Sequence, residues 1–431
     1  MTQLGDLKRL VRRAFDAAVA AGHPGEVTRA AMARLDSAPT AVIAVGKAAA
    51  SMAQAVRDSG CDAPGILVNT DESFTQVTGM TGFASAHPVP DDRGIQASAA
   101  VTDLVDGLGE GDHLLLLVSG GGSALLPAPA EGMGLADKQA LNEALLASGL
   151  DIHDMNAVRR LFSTLKGGRL ARRAAPAKVT QFLLSDVPGD RLESIASGPA
   201  IADPVPLETS LELIRAAGLD RLGFMPEQLR RIAAGEADLP VRPGDPVTGQ
   251  ITTHLLASNA ICRDAAADVM RRALGSMDEL QLPDLEGEAS DCAADLAERV
   301  LRARGAAGVW AVTGGETTVQ LGDSPGLGGR AQEMGIAFTA AMQAQHGKAA
   351  VGWTALIGGT DGRDGPTDAA GAIIGGDDPF DGPAAAAALA AHDSYRYLDA
   401  NGQLLKVPPT GTNLGDIAIL VAGSTSGMAE G

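Results

Sequence analysis

Apolar and polar positions along the chain follow two periods in turn. Near the start, Leu7, Leu10, Val11, Ala14, Phe15 and Ala18 recur at helical spacing and predict an amphipathic helix. Short apolar runs follow at Ala41–Val45, Gly65–Asn69, His113–Val118 and Val179–Leu184, separated by Ala-rich stretches of helical character. Strands that are apolar throughout are buried on both faces, so this alternation predicts a mostly parallel sheet with helices on each side. The segment Leu239–Gln250 breaks all periodicity and reads as an ordered interdomain loop or a linker. Beyond it, runs at Thr252–Ala257, Gly308–Thr313, Trp353–Ile357 and Ile417–Val421 predict the strands of a second domain. The expected architecture is therefore two α/β domains, residues 1–240 and 250–431.

Several of these runs end on glycine, serine or aspartate. After His113–Val118 comes Ser119-Gly120-Gly121-Gly122-Ser123, which is either a tight strand-to-helix turn or a backbone cradle for an anion. Gly46-Lys47 follows the first run and opens an Ala-rich helix over Ala48–Val56. A lysine there faces the positive end of the helix dipole, which is unfavourable unless an anion is present. Ser185–Asp190 carries Asp186 and Asp190 on one turn, suited either to ordinary Pro-Gly turn chemistry or to Mg²⁺, which takes few protein carboxylates and fills its shell with phosphate oxygens and water. In open parallel sheets ligands gather outside the carboxyl ends of the strands, where all three turns would lie.

Asn156, Arg159, Ser163, Lys166 and Arg169 recur every three to four residues and predict one polar face of a helix over Met155–Leu170, either solvated or broken at Gly167-Gly168 so as to carry a cation to a site. In the second half, Gly314-Gly315-Glu316 closes a strand, Gly328-Gly329-Arg330 opens a helix, and Asp361, Arg363, Asp364 and Asp368 crowd a glycine-rich turn. Arg330 would meet the same dipole as Lys47, and its planar fork suits a carboxylate or phosphoryl group.

Composition narrows the partners. With 34 basic and 53 acidic residues the net charge is −19, which disfavours nucleic acid. No apolar stretch approaches the roughly 20 residues that span a bilayer, so no membrane partner is expected. Three scattered cysteines, Cys61, Cys262 and Cys292, fit a reducing, cytoplasmic setting without structural zinc. Gly423–Gly427 lacks the central serine of a hydrolase nucleophile elbow.

Taken in order, Val45–Ala48, Val118–Leu125, Asn156–Arg159, Lys166–Arg169, Leu184–Asp190, Ile195–Pro199, Gly314–Thr317, Gly328–Glu333, Thr360–Gly371 and Pro409–Asn413 resemble the glycerate kinases that make 2-phosphoglycerate, whose C-terminal part is the MOFRL domain. The resemblance implies a Rossmann-like N-terminal domain, a MOFRL-type α/β domain and a cleft between them. It implies ATP-dependent phosphorylation of D-glycerate at its 2-hydroxyl with Mg²⁺. Lys47 and Arg330 would be the catalytic cations. Ser119, Gly120, Gly121, Gly122, Ser123 and Lys166 would hold the nucleotide with Asp186 and Asp190, the last two through the metal. Arg159, Glu316, Asp361 and Arg363 would hold the substrate, and a homodimer stays open. Ala331 and Gly415 depart from the family pattern, which has asparagine at both positions. Family members often carry the name hydroxypyruvate reductase, so an NAD(P)-dependent reductase is the alternative, and a non-catalytic nucleotide or sugar-acid sensor a third. Against the reductase, no G-x-G-x-x-G motif opens a helix after a strand.

Overall fold

The computed structural model describes residues 3–303, 308–322, 324–346 and 352–423. The four apolar runs of the first half are strands of one sheet: β1 (Ala41–Val45), β2 (Gly65–Thr70), β4 (His113–Val118) and β5 (Lys178–Ser185). Two edge strands, β3 (Met80–Ser85) and β6 (Ile251–Ser258), complete the order β3-β2-β1-β4-β5-β6, and β1 to β5 pair in parallel. β1, β2 and β4 are buried along their whole length, which is why they read as unbroken apolar runs. β3 is half exposed and carries only three apolar residues, so no period marks it.

The second sheet has the order β11-β10-β9-β12-β8-β7, from β7 (Asp278–Glu279), β8 (Val309–Gly315), β9 (Trp353–Gly359), β10 (Gly371–Gly375), β11 (Leu404–Leu405) and β12 (Asp416–Ala422). Its pairs are antiparallel except β7 with β8. Helices Ala289–Ala303 and Arg330–His346 cover one face, on Ala418 and Leu420 of β12 and Ala355 and Ile357 of β9.

The chain divides into two compact units, residues 24–256 and residues 1–23 with 257–431, rather than at 240–250. The N-terminal helix Gln3–Ala21 accounts for the first difference. It lays its apolar stripe, with Phe15 fully buried, against β9 and helix Asn259–Ala273 of the second unit. The segment after Leu239 is an ordered loop of the first unit, where the Val241 N–H donates to the Gly167 carbonyl at 2.8 Å and the Val241 carbonyl accepts from Asp203 N–H at 2.8 Å. No described helix is long and apolar enough to cross a membrane.

Candidate active site

In the first unit the strand order reverses between β1 and β4, the place where an open parallel sheet leaves a crevice. The turns after these two strands are laced together. The Ser119 N–H donates to the Val45 carbonyl at 3.0 Å, the Lys47 N–H to the Gly120 carbonyl at 2.9 Å, and the Ala48 N–H to Ser119 Oγ at 3.0 Å. Gly46 makes this approach feasible: its φ is +121°, and a Cβ would overlap the carbonyl and hydroxyl of Ser119. The following helix starts at Ala49, so Lys47 stands in the turn ahead of it and not in its first turn as predicted.

The Lys47 side chain is exposed, and among the described residues no ion pair engages it. Its aliphatic stem and the His87 ring both lie close to Gly121, and the Asp186 carboxylate lies directly over Gly120. Burial, reinforced by the Lys47 charge, holds the His87 imidazole below its usual range. Asp190 sits in a left-handed turn at φ +51° at the end of the short helix Pro188–Asp190.

The predicted helix over Met155–Leu170 is interrupted. It runs from Ile152 to Leu161, the backbone turns left-handed at Gly167 and Gly168, and a new helix spans Arg169–Ala174. Periodicity misreads this stretch because a buried cation stands in for the missing helical turns. Arg169, fully buried, donates to the carbonyls of Arg160, Leu161, Lys166 and Asp238 and so ties the loop to the helix end. Asn156, Ser163, Lys166 and Arg169 are buried, not solvated.

The break delivers Lys166 and Arg159 to one cavity of about 290 Å³, bordered by Gly121, Ser123 and His87 and joined by Lys138 from helix Leu135–Ala147. The Lys166 ammonium donates to the Ser123 carbonyl at 2.8 Å. Lys138 is pushed down to about 8 by burial and then by the Arg159 charge. Lys166 is pushed well below its usual range by burial and then by Lys138 and Arg159. Arg159 Nε is buried without a hydrogen-bond partner. Three of the chain's seven lysines thus gather around the glycine loop. Lys138 and His87 escaped the sequence reading, since neither adjoins a glycine turn; the scarcity of lysine is the one signal that marked Lys138.

In the second unit Arg330 opens helix Arg330–His346, and the anion it meets is a protein carboxylate. Its guanidinium grips Asp416 at 2.7 Å through Nε and 3.3 Å through the second nitrogen, and also reaches Glu316. Asp416 is 2% exposed and was not singled out by sequence, because it begins a strand just beyond the Pro409–Asn413 motif and its partner lies far away in the chain. A Cβ built on Gly359 would touch both the Asp361 and the Asp416 carboxylates, so these two gather at the end of β9. Burial raises the pKa of each. Arg363 is exposed beside Asp361 and donates its backbone N–H to that carboxylate at 2.9 Å. The helix start is satisfied by Asp364, which accepts from the N–H groups of Ala331 and Gln332 at 3.2 and 2.8 Å. Ala331 is fully buried in the apolar core.

Among the described residues no three His, Cys, Asp or Glu side chains are arranged to hold a metal. Asp186, exposed and lying over the glycine loop, offers a carboxylate of the kind that Mg²⁺ on a phosphate uses. Of the nucleophile-elbow segment, residues 424–427 lie outside the described residues.

Residues 10–233 match a domain of unknown function (DUF4147), and residues 309–416 match the MOFRL family. The D-glycerate 2-kinase of Thermotoga maritima is 33% identical over 96% of this chain and 98% of its own length. A protein of Agrobacterium vitis that carries a provisional hydroxypyruvate reductase name is 38% identical over 96% of this chain and 94% of its own. The solved glycerate kinase of Thermotoga maritima superposes with a TM-score of 0.83 at 31% identity, covering 97% of this chain and 100% of that one. A chain built this way, and this similar over nearly its whole length, belongs to the glycerate kinase family with a C-terminal MOFRL domain.

Proposed function

We propose that the protein transfers a phosphoryl group from ATP to the 2-hydroxyl of D-glycerate. The observation that carries this reading is the convergence of Lys47, the glycine loop and the Lys138, Arg159 and Lys166 cavity at the switch point of the first sheet. Phosphoryl transfer asks a protein for positioning and charge stabilisation, and this corner supplies both. The Ser119–Ser123 backbone would cradle phosphates, with Lys47 neutralising charge on the moving group. Asp186 would hold Mg²⁺, which when bound supplies further charge neutralisation on those phosphates. Within the second unit Asp416 orients Arg330, which the family resemblance casts as the second catalytic cation, with Glu316, Asp361 and Arg363 nearby.

A reductase fits this corner poorly. The turn after β1 carries one glycine and a lysine, where dinucleotide binding uses three glycines so that the backbone can approach a pyrophosphate. Incubation with ATP, Mg²⁺ and D-glycerate should release ADP, while NADH with hydroxypyruvate should stay unoxidised. NADH oxidation without ADP release would replace the kinase with the reductase, and neither reaction would leave a sensor.

A further inference from the structure

Three cations meet in the cavity beside the glycine loop, and among the described residues no carboxylate forms an ion pair with any of them. Lys138 is 8% exposed and Lys166 4% exposed, while the Arg159 guanidinium donates to the Asn156 amide oxygen at 3.3 Å. Burying positive charge without a counter-ion is costly, several kcal/mol per ion in general, and a fold carries such a cluster where an anion completes it. The lining also includes the apolar residues Pro88, Pro90, Leu141 and Leu146, the leucines on the same stretch of chain as Lys138. A lining that combines these cations with apolar side chains suits a small molecule with an anionic group on a short carbon skeleton.

Size and position decide which molecule. At about 290 Å³ the cavity falls at the small end of ligand pockets, whose range begins near 300 Å³ for drug-sized molecules, a size that suits a short acid. Gly121 and Ser123 belong both to the cavity lining and to the loop that is to hold phosphates. Lys47 and His87 flank Gly121 at the same border. A short acid held by these cations would thus lie beside the loop, which Lys166 itself touches.

We infer that the cavity formed by Lys138, Arg159 and Lys166 is the acceptor site, where these cations bind the carboxylate of a short 2-hydroxy acid, with Lys138 setting the preference for acids over neutral polyols. The inference rests on the kinase reading for its acceptor and assigns Lys166 to the acid and not to the nucleotide. Lys166 also fixes the Ser123 carbonyl, so one ammonium links the acid's site to the loop.

The test compares the wild-type enzyme with Lys138→Met, which keeps the side chain's length without its charge, and Lys138→Arg, which keeps a charge. Lys138→Met should raise KM for D-glycerate at least tenfold and leave KM for ATP within about twofold, and its preference for D-glycerate over glycerol should shrink. Lys138→Arg should recover most of the loss. A raised KM for ATP with that for D-glycerate unchanged would give the cavity to the nucleotide and overturn the inference. Unchanged values for both would overturn it too. If the wild type releases no ADP with D-glycerate, the kinase reading fails separately, and calorimetric titration with D-glycerate alone decides the cavity. Binding that disappears in Lys138→Met upholds the acid site; no binding to the wild type ends it.

Discussion

The Lys47 N–H donates to the Gly120 carbonyl at 2.9 Å, so the backbone that aims the lysine is the backbone of the triple-glycine turn. The side chain, by contrast, is exposed. Lys47→Ala removes the ammonium while keeping that backbone bond. The expected outcome is a fall in kcat of roughly 100-fold or more, or ~2.7 kcal/mol of transition-state stabilisation. Thermal unfolding should stay within about 0.5 kcal/mol of wild type, as for surface substitutions generally. Steady-state kinetics beside a melting curve separate the two effects, and near-normal turnover would remove Lys47 from the chemistry.

Gly46→Ala tests the frame behind that contact. A Cβ there would overlap Ser119, and φ of +121° is strained for any L side chain. Such strain costs on the order of 1–3 kcal/mol, before the clash is counted. The midpoint in urea should fall, and kcat should fall further than in proportion to folded enzyme, because the β1 and β4 turns separate. A variant with wild-type stability would mean that the two turns accommodate each other loosely.

For the second unit the informative partner is Asp416. Asp416→Asn keeps the shape but breaks a two-pronged ion pair whose acid is buried, leaving Arg330 with Glu316 alone. Breaking a buried pair costs about 3–5 kcal/mol; Arg330 is 31% exposed, so solvent screens part of this and the loss should be nearer 1–2 kcal/mol. Turnover should drop as Arg330 loses its orientation. Calorimetry and kcat measured on one preparation check both; a stability loss with full turnover would make Arg330 structural.

Much of this was legible from residue order, for reasons that differ by element. β1 and β4 read cleanly because each is buried on both faces, and Gly46 and Gly120 stand out because neither has room for a side chain, Gly46 beneath the Ser119 backbone and Gly120 beneath the Asp186 carboxylate. The helix through Lys166 misread because Arg169 replaces four backbone partners, and a side chain's tertiary role leaves no periodic trace. Asp416 and Lys138 stayed hidden for a related reason. Each matters through a neighbour distant in sequence, Asp416 through Arg330 and Lys138 through Arg159, and no local spacing encodes such a meeting.

Lys138 makes the acceptor site depend on pH in a way that can be signed. Its folded pKa of about 8 lies below the ordinary lysine value of about 10.5, with burial the larger cause and Arg159 the second. The groups facing it are Arg159, Lys166 and His87. Lys166 is held well below its usual range and His87 below its own, so both titrate at lower pH than they would in water, while burial lowers Arg159 from the high range of a guanidinium. Bound acid favours the protonated lysine, and deprotonation above pH 8 removes the charge that the carboxylate needs. KM for D-glycerate should therefore be lowest below pH 8 and rise above it, by up to about tenfold per pH unit. The same depressed pKa means the folded state binds fewer protons than the unfolded one between about pH 8 and 10.5, so this group's contribution to stability grows with pH across that window. Affinity and stability should thus move in opposite directions through one interval. Lys138→Arg, whose guanidinium stays charged throughout, should flatten the rise in KM. A rise of the same steepness in that variant would assign the titration to another group of the site.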